Sequence, residues 1–201
     1  MAFPTTSIID DFNRANGGWG AAWTTDFGDA APVIVSNQGA SSGVGWSGAT
    51  YNTTYAANQE VYFTVPVSAD NRVVVYSRYA STNGYALDIN TVLNTSATAN
   101  FNIARVTGGA LSTLVNVRQD VSSGDGIGFS VVGSTITAYY KSGAGAWTQV
   151  LQTTDATHNQ SGKIGIEIFN NVQRIDDFGG GAVVSLPSDT PFPPAGRGAS
   201  W

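Results

Sequence analysis

Apolar residues recur at every second position through most of the chain. Val61, Phe63 and Val65 alternate with Tyr62 and Thr64; Tyr85, Leu87 and Ile89 with Ala86, Asp88 and Asn90; Ile127, Phe129 and Val131 with Gly128 and Ser130; Ile164, Ile166 and Ile168 with Gly165 and Glu167. Phe101 and Ile103 flank Asn102, and Thr113, Val115 and Val117 alternate with Leu114 and Asn116. A period of two puts successive side chains on opposite faces, so each run reads as a strand with one face turned inward. No window of a dozen residues sustains the 3.6-residue period of an amphipathic helix.

Turn signals punctuate these runs. Gly133-Ser134 separates Ile127–Val132 from Thr135–Tyr140 and predicts a tight hairpin, with a positive φ at the glycine. Lys141–Trp147 reads as a loop, and Trp147 opens a further strand. Clusters at Ser68–Asn71, Ser81–Gly84, Thr107–Gly109 and Ser122–Asp125 space about a dozen strands at intervals of ~8–12 residues, the rhythm of a sandwich or barrel.

Composition agrees. Of 201 residues, 19 are serine, 21 threonine and 15 asparagine, against two lysines (Lys141, Lys163) and two glutamates (Glu60, Glu167). A helical protein faces water with Glu and Lys, whereas short polar side chains favour strands, caps and turns. The length suits one core. Cysteine is absent, which excludes disulfides, thiolate metal sites and thiol nucleophiles. A net charge of -5 leaves no basic footprint for nucleic acid. Residues 1–6 carry neither the basic start nor the apolar run of a secretory signal, and no apolar stretch is long enough to span a membrane. The sequons at Asn52, Asn94 and Asn159 read as chance matches in an Asn- and Thr-rich chain. A chain composed like a secreted protein but lacking such a signal is expected in a virion or on an unconventional export route.

Residues 1–184 are expected to form the sandwich. Residues 185–201 differ, holding four of the seven prolines: Pro187, Pro191, Pro193 and Pro194. Proline does not serve a central strand, so this arm reads as extended or polyproline-like. Two readings stand open: a loose tail, or a docking arm anchored on a neighbour by Phe192 and Trp201. A stiffened segment loses little entropy on docking.

Ile8-Ile9-Asp10-Asp11-Phe12-Asn13-Arg14, then Gly17-Gly18-Trp19-Gly20 and Trp23, resembles the opening of concanavalin A-like (laminin-G-like) jelly-roll domains. Trp19 stands where those domains usually have Leu. The Gly133-Ser134 hairpin, Gly162-Lys163-Ile164-Gly165 and the late Ile175-Asp176-Asp177-Phe178 are also similar to that superfamily. The resemblance covers about residues 7–184. It implies an all-β, two-sheet antiparallel β-sandwich of jelly-roll topology, a fold frequent in bacteriophage minor tail and other virion proteins. The two Ile-Asp-Asp-Phe segments are expected to pair, closing the sheet at the chain ends and bringing Arg14 and Arg174 near the aspartates.

Catalytic chemistry finds little support. Retaining glycosidases of this superfamily carry Glu-x-Asp-x-x-Glu on one strand, because two carboxylates must stand ~5–5.5 Å apart. Glu60 and Glu167 are far apart in sequence, and Glu167 reads as a solvated residue of a sheet face. Gly39–Gly43 matches Gly-x-Ser-x-Gly around Ser41, but no helix follows to make a nucleophile elbow. Gly43–Gly48 matches Gly-x-Gly-x-x-Gly, also without the helix that phosphate binding needs. His158 reads as a turn residue.

Binding chemistry is better supplied. If the chain ends pair, Asp11 and Asp177 are candidates for a structural calcium, which wants six to eight oxygens; such an ion near the joined termini is what the resemblance implies. The alternative is that the aspartates cap turns or pair with Arg14 and Arg174. Trp46, Tyr51, Tyr55, Tyr79 and Tyr85 lie in or beside loops and are candidate platforms for sugar rings; the alternative is that they pack, since aromatics bury ~150–250 Å² each. Trp23 and Trp147 are expected at the rim of the core. The functional expectation is a non-enzymatic virion component (minor tail, decoration or fibre-like) that docks through its arm to other virion proteins or a second copy, with a cell-surface glycan as further partner. A free carbohydrate-binding module or lectin-like domain is the alternative, and a polysaccharide-degrading enzyme a more distant one.

Overall fold

The computed structural model describes residues 3–66, 72–90 and 101–183. Phe192, Trp201 and the rest of the arm lie outside them. The described chain forms sixteen strands and no helix. They are β1 (Ile8–Asp10), β2 (Gly17–Gly18), β3 (Trp23–Gly28), β4 (Val33–Val35), β5 (Gln38–Ala40), β6 (Trp46–Tyr51), β7 (Gln59–Val65) and β8 (Arg72–Ala80). The second half adds β9 (Asn83–Asn90), β10 (Phe101–Thr107), β11 (Ala110–Val117), β12 (Asp125–Val132), β13 (Thr135–Lys141), β14 (Thr148–Thr154), β15 (Lys163–Phe169) and β16 (Arg174–Ala182).

The strands make two antiparallel sheets. One has nine strands, in the order β14-β13-β12-β7-β16-β5-β4-β2, with β1 also paired to β16. The other has seven, in the order β11-β10-β9-β8-β15-β6-β3. The two Ile-Asp-Asp-Phe segments do lie side by side: Ile8 pairs with Gly179 and Asp10 with Phe178. Val132 and Thr135 close the expected hairpin, with Gly133 at φ 58°.

The alternating residues meet in one core. Phe63, Val65, Ile127, Phe129 and Phe178 come from the nine-stranded sheet, and Val73, Leu87, Ile103, Ile164, Ile166 and Ile168 from the seven-stranded one. Full burial of such side chains contributes about 1.5–3 kcal/mol each, which sets the register: a one-residue slip would turn a whole strand's apolar set to water. Trp23 is buried as expected. Trp147 is not at the core rim. It lies half-buried on the outer face of the nine-stranded sheet, because the glycine faces of Gly126 and Gly128 leave room for its ring there.

The seven-stranded sheet has a second, outward-facing apolar layer. Val74, Tyr76, Ala86 and Val106 are buried on that side, with Phe27, Trp46 and Tyr79 packed against them. Burial of both faces explains the unbroken run Val73-Val74-Val75-Tyr76, where alternation disappears.

Candidate functional site

The outer layer ends in a cleft. It has a volume of about 510 Å³ and is lined by Asp26, Thr54, Tyr79, Ser81, Thr82 and Lys163, among others. One wall is the end of β8 and its turn; the other is the segment leading into β15. The arrangement combines an aromatic ring, a carboxylate, an ammonium and several hydroxyls.

The ring is fixed by its neighbours. Tyr79 meets Phe27 edge-on at 5.0 Å, and Phe27 stacks on Tyr76 at 4.4 Å. Burial raises the pKa of the Tyr79 phenol, with Asp26 and Glu167 adding to it. Lys163 Nζ lies 3.4 Å from Asp26 Oδ2 and 3.3 Å from Thr50 Oγ1, and Thr50 in turn donates to Asp26. The Asp26–Lys163 pair is about 30% exposed on each side, so it contributes modestly to stability and both groups face the cleft.

Along the same face, Tyr76 Oη donates to Glu167 Oε2 at 2.9 Å. Glu167 is therefore not a solvated residue as the alternation implied. The outer aromatic layer half-buries it, and this desolvation raises its pKa although Tyr76 and Arg72 act the other way. Further on, Arg72 donates twice to Asp88, through Nε at 2.5 Å and Nη2 at 2.6 Å, and its guanidinium lies 5.4 Å from the ring of Trp46. Trp46 also packs on Phe169 at 5.0 Å.

A buried arginine holds both walls of the cleft. Arg78 is 1% exposed, has a φ of 53° and precedes Tyr79. Its guanidinium donates to the carbonyls of Ala57 (2.5 Å), His158 (2.6 Å) and Gly133 (2.7 Å), and its own carbonyl accepts from Gln160 Nε2. Burial lowers its pKa. His158, expected as a turn residue, is buried: its backbone N–H donates to Tyr85 Oη, its ring packs edge-on to that tyrosine, and its Nε2 has no hydrogen-bond partner among the described residues.

The five aromatic candidates thus separate. Tyr79 lines the cleft. Trp46 shares its face, half-exposed and braced by Arg72. Tyr51 packs edge-on against Trp23, and Tyr55 lies against Gly181 and the core. Tyr85 is fully buried and donates to Asp155; it is no platform, because its inward register with Leu87 and Ile89 puts the ring inside. Sequence reasoning missed Phe27, Tyr76, Asp26 and Lys163. The apolar run through Tyr76 was the available signal for a covered outer face.

A second hollow of about 490 Å³ lies at the joined chain ends, lined by Ile8, Ile9, Asp10, Asp11, Arg14 and Trp19, among others. Asp10 is spent within the fold. It accepts from Phe12 N–H, from Arg14 twice and from Trp23 Nε1. Asp11 is exposed and accepts from the backbone of Asn13. Asp177 sits at φ 49°, its backbone N–H donating to Asp176. Burial raises the Asp176 pKa, with Asp177, Asp11 and Asp10 adding. Among the described residues no three His, Cys, Asp or Glu side chains are grouped so as to hold a metal, so the expected Asp11–Asp177 pair falls short of a calcium ligand set. Of the two arginines expected near these aspartates, Arg14 arrives; Arg174 donates instead to the carbonyls of Asn171 and Gln173. Ser41 of the Gly-x-Ser-x-Gly match is buried and bonded to its own loop at Gly45 O and Ser47 Oγ.

No protein-family model matches the chain, and no curated protein matches it. Solved structures do. The chain is similar to the carbohydrate-binding module CBM66 from Bacillus subtilis, at 15% identity over 81% of this chain and 96% of that one, with a TM-score of 0.60. It is similar to the exoplasmic/lumenal domain of VIP36 in its Ca2+/Man-bound form, at 11% identity over 94% and 95% of the two chains, with a TM-score of 0.65. It also matches the GH43 protein BlXynB from Bacillus licheniformis at 12% identity and a TM-score of 0.55, covering 85% of this chain and 38% of that one. The fold is therefore that of the lectin and carbohydrate-binding jelly rolls, the concanavalin A-like sandwich.

Proposed function

We propose that this chain is a non-catalytic, lectin-like module that takes a glycan in the cleft beside Tyr79. The observation that carries this reading is the cleft itself: one fixed aromatic face, the Asp26–Lys163 pair and the hydroxyls of Thr54, Ser81 and Thr82 converge on one hollow. A pyranose has an apolar face for the ring and a rim of hydroxyls for the charged and polar groups. Such a mix of apolar wall and few convergent polar groups is the usual make-up of a ligand site. The structural likeness to a carbohydrate-binding module and to a domain in its Ca2+/Man-bound form is consistent with it.

Binding without hydrolysis is the better fit to the carboxylates. Glu60 belongs to the nine-stranded sheet and Glu167 to the seven-stranded one, each on an outward face. They cannot form the pair ~5–5.5 Å apart that retaining hydrolysis needs. Glu167 is engaged by Tyr76 and lies beside Gly48, which separates it from Phe27.

The narrower form of the proposal places the module in a bacteriophage virion, as a minor tail, decoration or fibre-like component that reaches host glycans with its cleft and holds its neighbour with residues 185–201. The Pro-rich composition of that segment and the absence of cysteine support this form. A free carbohydrate-binding module fits the cleft equally well. Two experiments separate the readings. A glycan array with wild type and Tyr79→Ala tests the cleft; signals lost in the variant support it, and no signal with wild type overturns it. Deleting residues 185–201 tests the arm; a truncated chain that still assembles into particles overturns docking through the arm, and a wild-type chain that never assembles leaves only the free module.

A further inference from the structure

The outer face of the nine-stranded sheet holds a slot shaped for one aromatic ring. Its floor is glycine. A Cβ on Gly128 would stand 2.3 Å from the ring of Phe3, one on Gly126 would stand 2.8 Å from Trp147, and one on Gly179 would stand 2.2 Å from Tyr62. Its walls are Tyr139, Trp147 and Tyr62. The ring of Phe3 fills it, parallel to Tyr139 at 3.9 Å and edge-on to Trp147 at 5.1 Å.

The rest of the strap is held as a bound peptide is held. Residues 3–7 belong to no strand. The backbone N–H groups of Thr5 and Thr6 both donate to Glu60 Oε1, at 2.5 and 2.7 Å, and their hydroxyls donate to the same oxygen. Tyr62 Oη donates to the Thr6 carbonyl at 2.9 Å. An anchor ring in a pocket, a proline and charge-assisted backbone bonds to a buried carboxylate make a recognition site for a short extended segment.

Of the nine phenylalanines in the chain, two are followed by proline: Phe3 and Phe192. We propose that the slot is a docking site for Phe-Pro segments, filled within each chain by Phe3-Pro4 and, between chains, by Phe192-Pro193 from the arm of a second copy. The proposal rests on the arm-docking reading and narrows it to a partner and a place. No bond made by the strap needs an N–H at Pro4, so Pro193 loses nothing there. Two residues beyond the ring, Pro194 lacks both the N–H and the hydroxyl that Thr5 supplies, while Ala195 keeps the N–H that Thr6 supplies but lacks its hydroxyl. The arm thus keeps one of the four bonds to Glu60 and is the weaker ligand, by roughly tenfold or more for each charge-assisted bond lost.

A second copy is the source favoured by where the described chain ends. Val183 lines a small space of about 60 Å³ with Phe3, Thr5, Glu60 and Tyr139, so each arm leaves beside its own slot. Phe192 is nine residues further on, with Pro187 and Pro191 between. Prolines oppose the tight reversal that would return it to the same slot, whereas nine extended residues span up to about 30 Å, enough to reach a neighbour.

Sedimentation velocity tests this on the full chain. The expected result is that Phe3→Ala, which empties the slot, associates at concentrations roughly tenfold or more below those needed by wild type, and that Phe3→Ala with Phe192→Ala stays monomeric. Because Phe3→Ala could loosen the fold, the same comparison is made between wild type and Phe192→Ala at millimolar concentration, where only wild type is expected to associate. A peptide of residues 190–195, titrated into Phe3→Ala, is expected to shift the resonances of Trp147 and Tyr139. Association that survives Phe192→Ala, or a peptide without effect at millimolar concentration, overturns the inference. If the arm deletion still blocks particle assembly in that event, arm docking stands and only this slot is excluded.

Discussion

Trp23 Nε1 donates to Asp10 Oδ2 at 2.7 Å, tying an indole of the core to the first Ile-Asp-Asp-Phe segment. The same carboxylate accepts from Phe12 and twice from Arg14. This knot explains why the strand pair β1–β16 closes the sandwich where it does. Asp10→Ala would leave a buried indole N–H and a backbone N–H without acceptors, at a cost of about 2–4 kcal/mol. Asp11→Ala is expected within about 0.5 kcal/mol of wild type, because Asp11 is exposed. Thermal melts of the two variants check the contrast.

Calcium gives an independent check on the same knot. A ligand bound only to the folded state raises stability by mass action. If Asp11 and Asp177 hold a structural ion at the joined chain ends, melting in millimolar calcium should lie above melting in EDTA, and coincident curves would count against that ion. A rise of several degrees with calcium would show that Asp11, Asp176 and Asp177 recruit further oxygens.

Much of this was legible in the residues themselves. Ile164, Ile166 and Ile168 point inward as their alternation requires, and the twin Ile-Asp-Asp-Phe segments pair. Tyr85 shows a signal that was present and outweighed: its alternation with Leu87 and Ile89 placed it inside, but its nearness to a turn suggested exposure. Arg78 and Glu167 were not legible. A lone charged residue in a strand reads as solvent-facing. Whether it is covered depends on residues distant in sequence, here Tyr76 on Glu167 and the carbonyls of Ala57, Gly133 and His158 around Arg78.

Glu167 sets a pH dependence. Burial raises its pKa in the folded state, so the folded chain holds this proton more tightly than the unfolded chain does. Stability from this group is greatest below the ordinary glutamate range and is lost as pH rises through the folded value. Glu167→Gln, which still accepts from Tyr76, is expected to raise the melting temperature at pH 7, with the gain shrinking towards pH 4. A variant less stable than wild type at pH 7 would contradict this.

Arg78 is expected to be irreplaceable by lysine. A guanidinium reaches three carbonyls in a fixed fork, and an ammonium does not. Arg78→Lys should cost about 2–4 kcal/mol through unsatisfied buried carbonyls, measured by denaturant titration. Because Arg78 joins both walls of the cleft, ligand affinity should fall in the same variant under conditions where it remains folded.

Tyr79 and Tyr85 should separate binding from stability. Tyr85→Ala removes a fully buried ring and is expected to cost about 3–5 kcal/mol. Tyr79→Ala should leave the chain folded and weaken glycan binding. Burial, aided by Asp155, also pushes the Tyr85 phenol up to about 12. Stability from this group is present below the ordinary tyrosine pKa and is lost as pH rises from there through the folded value of about 12. Tyr85→Phe is therefore expected to unfold less steeply above pH ~10.

The most direct test of the glycan reading is a heteronuclear NMR titration of the full chain with a panel of neutral oligosaccharides. We predict that at least one sugar shifts resonances of Asp26, Tyr79, Ser81, Thr82 and Lys163, that the shifts saturate, and that they vanish in Tyr79→Ala. Sugars that leave these residues unmoved at millimolar concentration, or that shift residues elsewhere on the sandwich instead, would contradict the assignment of the cleft.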